Sequence, residues 1–213
     1  MPTRFYLPSS GSSPVSVPTS AWPFVAANFA QYAAVTTPIG SALVDVINTQ
    51  QYDYTDRVLL FQWVSAPLAA QVLTGQIKLS IRASRSLASQ KIRFYAGIVS
   101  SAGVIRFSNE FGYNGQALTT VLSSKTENGD VSPSWSCNLD DRVWFQVGFN
   151  QDGTLKTYTF SIGDSAASDL PYAAGDTNAF NPWVETSAVI NFNTPPPPTG
   201  GAANPLMLMG VGT

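Results

Sequence analysis

The chain of 213 residues contains no histidine and a single cysteine, Cys137. Without histidine there is no Ser-His-Asp triad, no imidazole metal ligand and no side chain of the type that most often acts as a general base. A lone cysteine forms no intrachain disulfide and has no second thiolate with which to bind zinc. These absences exclude most hydrolase mechanisms. We therefore expect a protein that is not an enzyme, in which Cys137 is a buried structural thiol.

Charged residues are also scarce, at 11% of the chain against about a quarter in an ordinary soluble domain. The net charge is −2 and Lys and Arg are not clustered, so we expect no nucleic-acid partner, because phosphate contacts need gathered cations. No run approaches the roughly 18 apolar residues of a membrane span, and "MPTRFYLPSSGSS" lacks the plan of a secretory signal. We expect no membrane insertion. The polar but uncharged composition is typical of secreted, virion or surface-exposed β proteins.

The chain consists of short apolar or alternating segments separated by Gly, Pro, Asn, Asp and Ser. "RVLLFQWVSAPL" at 57–68 is apolar on both faces at first, which predicts a strand in the middle of a sandwich. "GQIKLSIRAS" at 75–84 alternates, which predicts that Ile77, Leu79 and Ile81 face the core. "KIRFYAGIVSSAGVIRFS" at 91–108 predicts two strands joined by a hairpin turn at 100–103.

Three further segments extend this pattern. "DRVWFQVGFN" at 141–150 and "LKTYTFSIG" at 155–163 flank a "QDG" turn and are predicted to form an antiparallel hairpin. "PWVETSAVINF" at 182–192 predicts a last long strand. "WPFVAANFAQYAAV" at 22–35 is compatible with a short helix or with an edge strand, and the pattern does not decide between them.

Eight to ten short strands without a clear helix predict an all-β fold: a two-sheet antiparallel β-sandwich, jelly-roll-like, with extended N- and C-terminal arms. Residues 1–21 are interpreted as a first strand with an extended linker, and 22–194 as the sandwich domain. Residues 195–213 are interpreted as a polyproline spacer followed by an apolar tail, because four consecutive prolines favour polyproline II.

Several blocks together resemble a family of β-sandwich proteins of tailed bacteriophages and prophages. The blocks are "TRFYLPSSG" at 3–11, "RVLLFQWVSAPLAAQVLTGQIKLSIRASRS" at 57–86, "VSSAGVIR" at 99–106, and "GDSAASDLP" with "PWVETSAVINF" between 163 and 192. The resemblance implies a virion structural protein of the capsid surface or tail. It also implies that the following residues belong to the scaffold: Trp63, Pro67, Leu68, Gly75 and Trp183. The polyproline segment and the apolar tail lie outside this pattern.

The stretch "SIGDSAASDLPYAAGD" at 161–176 places Asp164, Asp169 and Asp176 close together in sequence. Carboxylates at this density are candidates for a structural Ca²⁺ site, although the spacing is not that of an EF-hand loop. The alternative is that each aspartate stabilises a turn by accepting backbone N–H groups. Apart from this Ca²⁺ candidate, the sequence predicts no metal or cofactor.

Two groups of apolar and aromatic residues are candidates for partner contacts. Tyr52, Tyr54, Phe111 and Tyr113 lie in segments rich in Asn and Gln, which suits a protein interface, stacking on a host glycan or local burial. Leu206, Met207, Leu208 and Met209 form an apolar tail, which we expect to dock on its own domain or on a neighbouring subunit. The expected partners are other virion proteins and further copies of the chain in a homo-oligomer. The alternative function is a carbohydrate-binding module that recognises a host surface.

Overall fold

The computed structural model describes residues 2–50, 54–86, 90–111, 117–152 and 155–193, and these residues form β-strands without any helix. No helix long and apolar enough to cross a membrane is therefore found among them. The strands are β1 (Thr3–Tyr6), β2 (Phe24–Ala33), β3 (Val44–Gln50), β4 (Tyr54–Val64), β5 (Gln71–Leu73), β6 (Gln76–Arg85), β7 (Ile92–Val99), β8 (Ile105–Phe111), β9 (Ser123–Asp130), β10 (Trp135–Cys137), β11 (Arg142–Asp152), β12 (Lys156–Ile162) and β13 (Trp183–Thr186).

The strands form two large sheets that pack face to face, which confirms the predicted β-sandwich. One sheet contains the order β3-β12-β6-β9, with β13 and β1 added beside β6, and the other has the order β2-β4-β11-β7-β8. β2 is parallel to β4, whereas the other paired strands run antiparallel. Two four-stranded sheets in the orders β3-β12-β6-β9 and β4-β11-β7-β8 have the jelly-roll arrangement, in which the chain repeatedly passes from one sheet to the other.

The predicted hairpin between residues 141–150 and 155–163 is wrong. β11 pairs with β4 and β7, whereas β12 pairs with β3 and β6 in the other sheet. The two strands face each other across the core, where the rings of Phe149 and Tyr158 stack at 3.6 Å between centroids. Apolar alternation marks an inward face equally for strands that pair edge to edge and for strands that pack face to face, so it does not distinguish the two arrangements.

The other predicted hairpin is confirmed. β7 and β8 pair antiparallel, and the N–H of Gly103 donates to the carbonyl of Ser100 at 2.9 Å in the turn between them. Gly103 has a φ of +82°, a conformation that glycine adopts without steric cost. Alternation in β6 is also confirmed, because Ile77, Leu79 and Ile81 are all fully buried.

The structure decides the conformation of one segment that the sequence left open, and it shows that the last strand is shorter than predicted. Within the segment 22–35, Phe24–Ala33 forms an edge strand, β2, with an irregular register against β4 between Val25 and Ala30. The last strand is short and ends at Thr186, after which the chain makes a single bridge from Phe192 to Leu68. The prediction extended this strand through residues 187–191, although apolar and polar side chains alternate less clearly there than in the strand before them.

The segment before β2 packs along the outer face of the second sheet. Val17 and Trp22 are 1% and 4% exposed, and they form a separate apolar cluster with Tyr95 and Trp144. The indole N–H of Trp22 donates to the side-chain oxygen of Gln146 at 2.7 Å. The segment therefore covers part of the outer face of the second sheet.

Candidate functional site

Asp164 is buried at the end of β12 and joins it to the loop before β3. Its carboxylate accepts hydrogen bonds from the N–H of Ile39 at 2.8 Å, the N–H of Ser41 at 2.6 Å and the hydroxyl of Ser41 at 2.7 Å. The residue is 1% exposed, so these three donors replace the water that a carboxylate would otherwise bind. Asp164 therefore positions the loop of residues 36–41.

Asp169 lies on the outer side of the first sheet, in an ion-pair network with β1 and β13. The guanidinium of Arg4 donates to Asp169 at 2.9 Å and to Glu185 at 2.7 Å, and the hydroxyl of Tyr6 donates to Asp169 at 3.0 Å. The same guanidinium lies 4.2 Å from the ring centre of Trp183. Burial lowers the pKa of Arg4, but the hydrogen bonds to Glu185 and Asp169 outweigh it and raise that pKa above its ordinary value.

Asp176 stabilises a turn and attaches it to strand β9. Its side chain accepts a hydrogen bond from the N–H of Asn178 at 2.8 Å, which is the geometry of an Asx-turn. Its own N–H donates to the hydroxyl of Ser124 at 2.9 Å. The three aspartates thus have separate partners, and within the described ranges no three acidic or cysteine side chains are grouped so as to hold a metal ion.

We expect chelation to leave the stability of this stretch unchanged, because each aspartate is already bonded by groups of the protein itself. Dialysis against EDTA should shift the melting temperature, measured by scanning calorimetry, by less than about 1 °C, which corresponds to under 0.5 kcal/mol. EDTA already saturated with Ca²⁺ controls for ionic strength. A melting temperature that falls with EDTA and recovers with Ca²⁺ would instead support the calcium site.

Among the predicted contact residues, Phe111 is corrected by the structure. It is 3% exposed and packs in the main core against Phe94, with 5.6 Å between ring centroids. β8 extends three residues beyond the predicted end at 108. Phe107 and Phe111 both pack with the main core, and their even spacing was the signal that placed the ring of Phe111 inside. Phe111 is therefore unavailable to a partner or a glycan.

The remaining contact candidates lie where side chains are not described. Tyr54 begins strand β4, but its side chain is outside the described part. Tyr52, Tyr113 and the tail residues Leu206, Met207, Leu208 and Met209 also fall outside the described residues. Their assignment to partner contacts stays a prediction.

An apolar groove lies at the end of the sandwich where Asp164 is bonded. Its volume is about 320 Å³, at the lower end of the size range of small-ligand pockets. It is lined by Ala34, Val35, Thr36, Thr37, Ile39, Ala66 and Phe192. These residues come from three segments that are distant in sequence, and sequence reasoning did not identify the groove for that reason.

Cys137 is buried as predicted, and burial changes its reactivity. The side chain is 5% exposed, and burial, followed by the nearby Asp141 carboxylate, raises the pKa of its thiol to about 12. Since the thiolate is the reactive form, we expect no reaction of the native protein with Ellman's reagent at pH 8, and one thiol per chain after unfolding in guanidinium.

The same shift predicts a pH dependence of stability. The pKa of the thiol is higher in the folded chain than in the unfolded one, so this stabilising contribution is complete below pH 9 and is lost as the pH rises towards 12.

A native thiol that reacts as fast as free cysteine at pH 8 would contradict the burial of Cys137. A Cys137→Ser variant is the control for reagent background.

Comparison with known proteins assigns no family to the chain. No protein-family model matches it, and no curated protein matches it. Solved structures with some likeness include that of infectious bursal disease virus strain Gx (10% identity, TM-score 0.28, 71% of this chain and 37% of the other). Others are the VP2 subviral particle of the same virus (7%, 0.29, 74% and 40%) and a CocE/NonD family hydrolase from Staphylococcus aureus (11%, 0.32, 87% and 34%).

The chain therefore spans well under half the length of these proteins. At TM-scores of 0.28 to 0.32 the likeness identifies neither a function nor a family.

Proposed function

We propose that this protein is a non-enzymatic structural protein of a bacteriophage virion that binds neighbouring virion subunits, as a capsid decoration, a minor head protein or a tail-associated component. The observation that carries the proposal is the strand order, β3-β12-β6-β9 against β4-β11-β7-β8, which is a jelly roll. Jelly rolls recur in viral capsid and lectin domains. This support is an analogy at the level of the fold.

The edge strands on one side of the sandwich carry charges that discourage pairing with another chain. β9 is an edge strand whose Lys125 and Glu127 lie opposite Ile81 and Leu79, on the face that points into the sandwich, and both are under 5% exposed. The neighbouring edge strand β8 carries Arg106 and Glu110 among its seven residues. Inward-pointing and frequent charges are recognised means of protecting a sheet edge.

The opposite side of the sandwich lacks this protection. β2 contains no charged residue, β3 contains only Asp45, and no charge occurs anywhere between Arg4 and Asp45. Val25 on β2 and Ile47 on β3 are 41% and 60% exposed. An uncharged edge with exposed apolar side chains is suited to a protein partner, so we assign the contact with neighbouring subunits to the β2 and β3 side.

Immuno-electron microscopy of intact particles tests the proposal. Antibodies against the purified protein should label particles, and a label on the head would support decoration whereas a label on the tail would support a tail component. Protein that is abundant in the producing cells but absent from purified particles would overturn the virion role.

Two exposed positions allow a matched test of the docking side. Ile47 and Val104 are 60% and 62% exposed, and they lie on β3 and beside β8, on opposite sides of the sandwich. When the variant is the only copy in the producing cells, Ile47→Lys should lower incorporation into particles at least about tenfold, equivalent to 1.4 kcal/mol of binding. Val104→Lys should incorporate normally. Equal incorporation of both variants would contradict the assigned side.

Binding of a host-surface carbohydrate is the second candidate, because lectin domains share the jelly-roll topology. Tyr52, Tyr54 and Tyr113 remain as stacking candidates for this function. A glycan array probed with the wild-type protein should then give signals that fall when these tyrosines are changed to alanine. An array of host-surface sugars without any signal would reject this alternative.

A further inference from the structure

We propose that the apolar groove at the end of the sandwich is the docking site of the chain's own tail, residues 205–209. The groove residues Ala34, Val35, Ile39 and Phe192 present an apolar surface, with Thr36 and Thr37 at its side. Ile39 remains 56% exposed, so the groove is open to an additional segment. This inference does not depend on the virion role.

The groove lies directly beside the point where the described chain ends. Phe192 forms one wall and is held by a bridge to Leu68 and by ring contact with Phe5, at 6.1 Å between centroids. The next residue, Asn193, donates its N–H to the carbonyl of Pro67 at 2.8 Å. The chain therefore continues towards residue 194 from the rim of the groove itself.

The tail matches the groove in its chemistry. No charged residue follows Glu185, and "PLMLM" at 205–209 is the most apolar part of the sequence after that point. The side chains that line the groove are likewise uncharged. Seating Leu206 and Leu208 there removes apolar surface from water on both sides without desolvating an ionised group.

The length of the intervening chain favours docking within one molecule. Four prolines favour a rod of about 12 Å, and Gly200 and Gly201 then allow the chain to reverse direction. A tether of this length gives an effective concentration in the millimolar range, far above the micromolar concentration of separate chains. The tail of the same chain thus outcompetes the tail of a second copy.

Cysteine cross-linking in the full-length chain tests this site. The variant Ile39→Cys with Met207→Cys is compared with Leu155→Cys with Met207→Cys, using a short bismaleimide and mass spectrometry of the cross-linked peptides. Leu155 is 60% exposed, close to the 56% of Ile39, and it precedes β12 at the end opposite Asp164. Cys137 is buried with a raised pKa, so it does not compete for the reagent.

We expect the double variant with Ile39→Cys to cross-link within one chain at least about tenfold faster than the double variant with Leu155→Cys, at a rate independent of protein concentration. Equal rates for the two double variants would overturn the proposal. Cross-linked dimers that dominate and increase with concentration would also overturn it, because the groove would then hold the tail of a second copy.

A second measurement does not depend on the tail cysteine. Single Ile39→Cys should react with a maleimide at least about tenfold more slowly than single Leu155→Cys, and the added pair Leu206→Ser and Leu208→Ser should abolish this difference. If the thiol introduced by Ile39→Cys stays protected when the tail is made polar, a different occupant such as a small apolar ligand covers the groove, and the proposal fails.

Discussion

Replacing Asp164 with alanine should lower the free energy of unfolding by about 3 kcal/mol, because it removes three hydrogen bonds to a buried carboxylate and leaves the N–H of Ser41 without its acceptor. For a chain of this length the melting temperature should fall by about 6–12 °C. Scanning calorimetry or urea titration followed by tryptophan fluorescence measures the change.

Two variants separate this role from a general effect of losing a carboxylate. Asp164→Asn keeps one carbonyl acceptor in the same place and should cost about 1–2 kcal/mol. Asp176→Ala removes a single bond to the N–H of Asn178 in a turn and should cost less than about 1 kcal/mol. Equal losses for Asp164→Ala and Asp176→Ala would contradict the structural role assigned to the buried carboxylate.

Loss of Asp164 should also act on the groove. The carboxylate holds the N–H of Ile39, a groove residue, at 2.8 Å. Releasing the loop would move this wall, so the maleimide reactivity of the Ile39→Cys variant should increase when Asp164→Ala is added. Asp164, the buried aspartate of the acidic stretch, thus holds one wall of the groove in which we propose that the tail docks.

Replacing Gly148 with alanine should destabilise the fold by at least about 3 kcal/mol, at or beyond the upper range of overpacking. A methyl group at this position of β11 would overlap the backbone carbonyl of Val58 and come within 2.7 Å of the Trp22 ring. The carbonyl belongs to the adjacent strand β4 and cannot rotate away, so either the sheet or the segment carrying Trp22 must move.

Gly40→Ala provides the matched control for Gly148→Ala. Nothing lies within 4 Å of a methyl group at Gly40, so its cost comes only from the φ of +75° and should be about 1 kcal/mol. Urea titration of both variants measures the difference. A loss at Gly148 no larger than that at Gly40 would show that the outer face of the second sheet tolerates a displaced Trp22.

Period-two alternation and turn residues predicted the all-β class, the hairpin between β7 and β8, and the inward face of β6. Alternation depends on neighbouring residues only, so it can be recognised in the sequence without the tertiary structure. Alternation did not predict that β11 and β12, which both have inward apolar faces, belong to different sheets. Phe149 and Tyr158 would be inward in a hairpin and are equally inward when they stack across the core.

The acidic stretch at 161–176 likewise combines a contact that is local in sequence with contacts that are not. Its composition left open a structural Ca²⁺ site or aspartates that accept backbone N–H groups in turns, and Asp176 accepts the N–H two residues ahead of itself. The partners of Asp164 and Asp169 lie 123 and 165 residues away in sequence, at Ser41 and Arg4. No local pattern contains contacts of that separation.

Local sequence determined the all-β class, the hairpin between β7 and β8 and the inward face of β6, and it shows that the chain has no histidine and a single cysteine. Tertiary structure alone decided the pairing of strands between two sheets, the packing of Val17 and Trp22 over the outer face of one sheet, and the groove. Those features arise where segments distant in sequence bury apolar surface and satisfy polar groups together. Because these contacts involve several distant segments at once, no local sequence pattern predicts them.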